Sequence, residues 1–157
     1  MTINLIVIGK LKEDYLRNAC AEYIKRLSRY CTFELHELDE CRLGDSPSEK
    51  EILSALKKEG EQIKRFAKGF IIPMCIEGKM LSSPQLSAKM SEAAVSGHST
   101  ITFIIGSSFG LDSEIKQMGS LRLSMSPMTF PHQLMRVILL EAVYRAFNIQ
   151  KGTKYHK

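Results

Sequence analysis

Residues 123–147, LSMSPMTFPHQLMRVILLEAVYRAF, hold the two features on which the reading of this chain turns. The first is the segment Met125–Pro131, apolar and serine-bearing at once and stiffened by Pro127 and Pro131. Its backbone N–H and C=O groups cannot all enter a sheet. It therefore reads either as a loop that turns polar backbone toward a ligand, or as a rigid connector that packs Met125, Met128 and Phe130 into the core. The second is the helix expected from His132 to about Asn148. Leu134, Met135, Val137, Ile138, Leu139, Leu140, Ala142, Val143, Ala146 and Phe147 occupy nearly its whole circumference. Such a helix is buried on more than one side. A domain of this size does not cover it alone, which points to a homodimer. Arg136 and Arg145 then fall at or near the seam, and Glu141, four residues before Arg145, is its natural partner.

Working back from that helix, apolar runs and helical spacings alternate. INLIVIG (3–9) is β-branched and closed by glycine, as a buried strand is. Residues 13–30 bring Leu16, Ala19, Tyr23, Leu27 and Tyr30 near one helical face. TFELHEL (32–38) alternates as a strand does, and 39–47 read as loop. Ser48 followed by Glu51 is a capping-box pattern that opens a helix to about Ala67. GFIIPMCIEG (69–78) is a strand in which Pro73 demands an edge, a bulge or an early end. SSPQLSAKMSEAAVSG has proline at the first helical position and a closing glycine. TITFIIG (100–106) is the clearest buried strand; a glycine-containing loop, a short helix and the brief strand LRLSMS follow. The alternation predicts one α/β domain over 1–157, with a mainly parallel sheet and helices on both faces.

Composition narrows the function. The chain has 157 residues, 22 Lys and Arg against 17 Asp and Glu, and a formal charge of +5, so a polyanionic partner is in keeping with it. Many of the early residues are basic (Lys10, Lys12, Arg17, Lys25, Arg26, Arg29), a pattern that also describes a solvated helix face. No apolar run approaches the roughly 20 residues that span a bilayer, and the N-terminus reads as a strand rather than a signal peptide. Four cysteines without metal spacing suit reduced cytoplasmic thiols, and the four histidines likewise show no metal-ligand spacing, so no metal is expected.

Ligands of open parallel sheets bind outside the carboxyl ends of the strands. The candidates are EGKMLSS (77–83), GSSFG (106–110) and MSPMTFPHQ (125–133), all expected at one end of the sheet. Neither a dinucleotide fingerprint nor a Walker loop is present. Gly106 alone is equally a strand-to-turn glycine. The tail KGTKYHK offers Lys154, Tyr155, His156 and Lys157, either as a frayed basic end or as RNA contacts in which lysine meets phosphate, tyrosine stacks and histidine takes a proton.

Together LIVIGKLKEDY, EGEQI, GKMLSS, FIIGSSFGL, LSMSPMTFPHQLMRVILLEAVYRAF and the terminal YHK resemble the RlmH (YbeA-like) methyltransferases of the SPOUT class, over essentially the whole chain. The resemblance implies an α/β fold with a C-terminal trefoil knot, a homodimer, and S-adenosylmethionine as methyl donor. The substrate it implies is a pseudouridine of large-subunit ribosomal RNA, methylated at ring nitrogen 3 on the assembled ribosome. By position it assigns the cofactor site to Met74, Gly106, Met125, Ser126, Pro127, Met128, Thr129 and Phe130. His156 and Tyr155 are then expected at the reacting base, and Arg136, Arg145, Lys154 and Lys157 on the RNA; His132 is most simply structural. Two departures stand out: Gly106-Ser107 where the family often has Gly-Gly, and Pro73-Met74 where leucine often stands at the second position. The alternative from another class is a noncatalytic ribosome- or RNA-binding α/β module.

Overall fold

A computed structural model describes residues 1–156. Ten elements follow in order: β1 (Thr2–Ile8), α1 (Asp14–Leu27), β2 (Thr32–Leu38), α2 (Glu49–Lys64), β3 (Phe70–Met80), α3 (Ser83–Val95), β4 (Thr100–Ile105), α4 (Ser113–Gln117), β5 (Leu123–Ser124) and α5 (His132–Gln150). The five strands form one sheet in the order β2-β1-β4-β3-β5, and every pairing is parallel.

β1 and β4 are central and buried on both faces, which is why they read as unbroken apolar runs. Their period-2 alternation sorts the core. Ile3, Leu5, Val7, Ile101, Phe103 and Ile105 face one layer with α1, α3 and α5. Ile6, Ile8 and Ile104 face the other, where Ile63 of α2 and Ile115 of α4 cover them. The expected two-faced arrangement is thus present.

Local signals set the helix starts. Ser48 accepts from the Glu51 N–H and Glu51 reaches back to the Ser48 backbone. Ser82 and Gln85 repeat the device before α3. Each box satisfies two N–H groups that the helix cannot.

Pro73 acts where expected. Pairing of β3 with β4 ends at Pro73 opposite Ile104, and the register against β5 shifts between Met74 and Lys79. The strand nevertheless continues to Met80, two residues beyond the sequence reading, so Glu77–Met80 belong to β3 rather than to an exit loop. Gly119 permits this geometry: a Cβ there would lie 2.4 Å from the Pro73 Cδ.

α5 lies against α1 and α3 through Leu139, Leu140, Val143, Ala146 and Phe147. Ser87 of α3 donates to the Ala146 carbonyl at 2.9 Å. At the start of α5, Arg136 is 2% exposed. Its guanidinium donates to Glu37 of β2 at 2.9 Å and to the Gly9 carbonyl at 2.6 Å. That places the first turn of α5 at the carboxyl ends of β1 and β2. Arg136→Met should therefore lower stability by about 2–4 kcal/mol, because two carbonyls and a carboxylate lose their donor in a largely buried site. Urea unfolding should show a lower midpoint at unchanged slope.

Candidate functional site

Three segments meet in one cleft of about 620 Å³ at the carboxyl end of the sheet. Met74, Cys75, Ile76 and Glu77 of β3 form one wall. They are free to do so because β3 has left β4 after Pro73. The turn Gly106–Gly110 with Leu111 forms the second, and Met125, Ser126, Met128, Thr129, Phe130, Pro131 and His132 form the third, with Met135 and Lys116 closing the ends.

Of the eight residues assigned to the cofactor by resemblance, Met74, Gly106, Met125, Ser126, Met128, Thr129 and Phe130 line this cleft; Pro127 lies in the same loop but not on the wall. The third-strand contribution comes from residues 74–77 and not from the tail of EGKMLSS. The sequence reading did not single out Cys75, Ile76 or Lys116 for this cleft. Lys116 is 39 positions from Glu77, and no periodicity joins them.

The glycines and prolines of the loops have local causes. A Cβ on Gly106 would sit 2.1 Å from the Gly110 carbonyl oxygen. Gly110 has φ +91° and donates to the Ser107 carbonyl at 2.9 Å, so the turn closes directly over Gly106. Both readings of Gly106 hold: it is a turn glycine, and it faces the cleft. In the third loop the Ser126 hydroxyl accepts from the Met128 N–H at 2.9 Å, and Ser124 donates to the Ser126 carbonyl at 3.1 Å. These short-range bonds fix the loop between its two prolines.

Ser107 belongs to this turn on the cleft wall and is buried. Its hydroxyl donates to Glu59 of α2 at 3.0 Å, and Glu59 also accepts from the Cys41 N–H at 3.0 Å. Burial pushes the Glu59 carboxyl above its usual range, with those two donors opposing.

Charge within the cleft is paired. Lys116 donates to Glu77, and this bond holds the Glu77 carboxyl below its usual range. His132 is pushed down chiefly by burial, with Arg136 and Lys12 adding to the effect and Glu40 opposing it, so it is neutral near pH 7. Among the described residues no cluster of three or more His, Cys, Asp or Glu side chains has the makings of a metal site.

The remaining assigned residues lie elsewhere. Arg136 is a correction: its guanidinium is enclosed and bonded to Glu37, Ile8 and Gly9, so it is a structural tie and presents nothing to RNA. Arg145 pairs with Glu141 as expected, Nε to Oε1 at 3.0 Å. Tyr155 packs on Tyr144 (ring centroids 4.9 Å apart) under the Arg145 guanidinium, and its hydroxyl donates to Glu141 at 3.2 Å. Burial first, then Glu141, pushes its phenol up to about 12. It is a proton donor, not a base. Lys154 and His156 are exposed, and Lys157 lies outside the described residues. None of the described tail residues lines the cleft of its own chain. The cleft is at the start of α5 and the tail at its end, 19 residues apart along the helix, which is roughly 28 Å at 1.5 Å per residue.

A family model described as predicted SPOUT methyltransferase matches residues 1–156. The chain belongs to this family. Two relatives, each named ribosomal RNA large subunit methyltransferase H, come from Streptococcus equi subsp. zooepidemicus (48% identical) and Leuconostoc citreum (47%). Each is matched over 159 residues, covering 100% of both chains. Two solved structures share the fold at 15% identity. A probable methylase family protein from Haemophilus influenzae has TM-score 0.56, with 99% of this chain and 70% of that one covered. A tRNA (m1G37) methyltransferase from Aquifex aeolicus has TM-score 0.53, with 92% and 70% covered.

Two outcomes test this geometry. Gly106→Ala forces the turn open; overpacking of this kind costs about 1–3 kcal/mol, so the thermal midpoint should fall by several degrees. His132 binds its proton less readily in the folded chain than in the unfolded one. Its contribution to stability is therefore complete above pH 6.5 and is lost as the pH falls below that value. Thermal midpoints measured from pH 7.5 to 5.5 should fall more steeply for the native chain than for His132→Gln.

Proposed function

We propose that this SPOUT methyltransferase acts as a homodimer in the cytoplasm. It transfers a methyl group from S-adenosylmethionine to ring nitrogen 3 of a pseudouridine in large-subunit ribosomal RNA, within the assembled ribosome. The observation that carries the reading is the cleft itself: residues 74, 106, 125, 126 and 128–130, distant in sequence, share one cavity in a chain similar end to end to methyltransferases named for large-subunit ribosomal RNA.

The cleft suits such a donor. Its 620 Å³ falls within the roughly 300–1,000 Å³ of small-molecule sites. Methionine and aliphatic walls suit an adenosyl group. Glu77 and Lys116 supply the opposite charges that an ammonium and a carboxylate require. When bound, the sulfonium supplies an already activated methyl group, so the chain's task is position and exclusion of water. Met125–Phe130 and the turn over Gly106 hold the donor through backbone and thioether contacts.

The accepting imide nitrogen carries a proton that must leave. The tail supplies the group for that step. His156 takes the proton, Tyr155 helps position the base, and Lys154 and Lys157 meet phosphate. Arg145, held by Glu141 and stacked on Tyr155, positions the tail. Because the tail stands a helix length from its own cleft, it serves the cleft of a second copy. The partly exposed Met135, Val137, Ala142 and Tyr144 of α5 support that pairing.

Tritiated methyl incorporation into intact ribosomes, compared with naked RNA and isolated subunits, tests the activity. Incorporation confined to ribosomes is expected. Donor binding without any transfer would favour the noncatalytic RNA-binding module instead. Deletion of residues 153–157 should remove transfer at least a hundredfold while leaving donor affinity within about twofold. Mixing the deleted chain with a Gly106→Ala chain should restore part of the activity if the tail works in trans. Full activity of the deleted chain alone would end the tail's role.

A further inference from the structure

The turn that leaves β1, Gly9-Lys10-Leu11-Lys12, is bound into the fold more tightly than a connecting loop requires. Its glycine has φ +82° and donates to the Leu38 carbonyl at 2.7 Å. Two arginines are committed to its carbonyls. Arg136 donates to Gly9 at 2.6 Å, and Arg17 donates to Leu11 at 2.8 Å and Lys12 at 2.9 Å. The Lys12 N–H donates to Gln133 Oε1 at 3.1 Å, which fastens the turn to the residue next to His132 on the cleft wall. The positive charge of Lys12 acts on His132 itself.

What this frame presents outward is two lysines. Lys10 and Lys12 are exposed, and neither belongs to an ion pair among the described residues. The neighbouring carboxylates are Glu13, Asp14 and Glu40; Asp14 is taken by Arg17. By contrast, Arg26 near the other end of α1 is paired with Glu22 and lies over Tyr23, and Lys116 inside the cleft is paired with Glu77. Backbone held by the buried guanidinium of Arg136 and the exposed one of Arg17, and tied through Gln133 to the helix start beside the cleft, carries unpaired ammonium groups and is preorganised to meet a fixed array of anions.

We infer that Lys10 and Lys12 form a phosphate-contacting edge that registers the RNA backbone against the methyl-transfer cleft. The inference rests on the reading of the substrate as ribosomal RNA. The lysines touch phosphate and not the reacting base, so they govern engagement of the ribosome rather than the transfer step.

The test is steady-state methylation of intact ribosomes over a series of KCl concentrations, with the double variant Lys10→Ala, Lys12→Ala. The KM for ribosomes should rise roughly tenfold at low salt while kcat changes less than about twofold. The plot of log kcat/KM against log salt should be shallower by about 0.7–0.9 for each lysine removed. Affinity for S-adenosylmethionine and the thermal midpoint should stay at native values. Lys10→Arg, Lys12→Arg should restore most of the KM. A double alanine variant with native KM and native salt slope overturns the inference, as does one whose only change is in cofactor affinity or stability. A native chain that neither binds nor methylates ribosomes overturns the substrate reading, and this inference with it.

Discussion

The buried guanidinium of Arg136 is the constraint on which the arrangement depends. It enters the fold from the first turn of α5 and joins carbonyls at the end of β1 to a carboxylate at the end of β2. α5 follows β5, which sits at the opposite edge of the sheet from β2. The chain between them must therefore cross the carboxyl ends of the strands, and the loop 125–131 is that crossing. Burying a charge is costly unless its donors are met. Here three of its five N–H groups donate to Glu37, Ile8 and Gly9, and Nε is left unpartnered. The tie therefore specifies where α5 begins as much as it stabilises the fold.

From that anchor the cleft follows. Pro73 releases β3 from β4 and exposes residues 74–77; the turn over Gly106 closes because neither glycine carries a Cβ; and the proline-stiffened loop covers the gap. The walls are short segments held by their own hydrogen bonds, so little order has to be gained when a ligand enters. The same anchor leaves the tail at the far end of α5. Tyr155 is packed there against Tyr144, Arg145 and Glu141.

Much of this was legible in the sequence. Alternation and apolar runs located β1, β2 and β4, since strands buried on both faces admit little else. Ser48-Glu51 announced one helix start, because capping is chemistry between residues three apart, and the proline of SSPQ announced another. The motif MSPMTFP marked one cleft wall, and resemblance to a known family assigned it to the cofactor. The tail's placement and the pairing of Lys116 with Glu77 were not legible, because side chains dozens of positions apart meet only after the sheet order is set. Arg136 was expected at the dimer seam from helix position and on the RNA from the resemblance; neither tells which acceptors a guanidinium meets across the fold.

What the sequence by itself determined, then, is the local and periodic part: an α/β alternation, capped helices, a β3 interrupted at Pro73 and a rigid loop before an apolar helix. These rest on steric and hydrogen-bonding rules that act within a few residues. Only the tertiary structure decided that β5 pairs beyond β3, that the Ser107 hydroxyl meets Glu59, and that Arg136 is spent on β1 and β2. Those outcomes depend on which buried polar groups find partners across the fold, a condition no short stretch of chain contains.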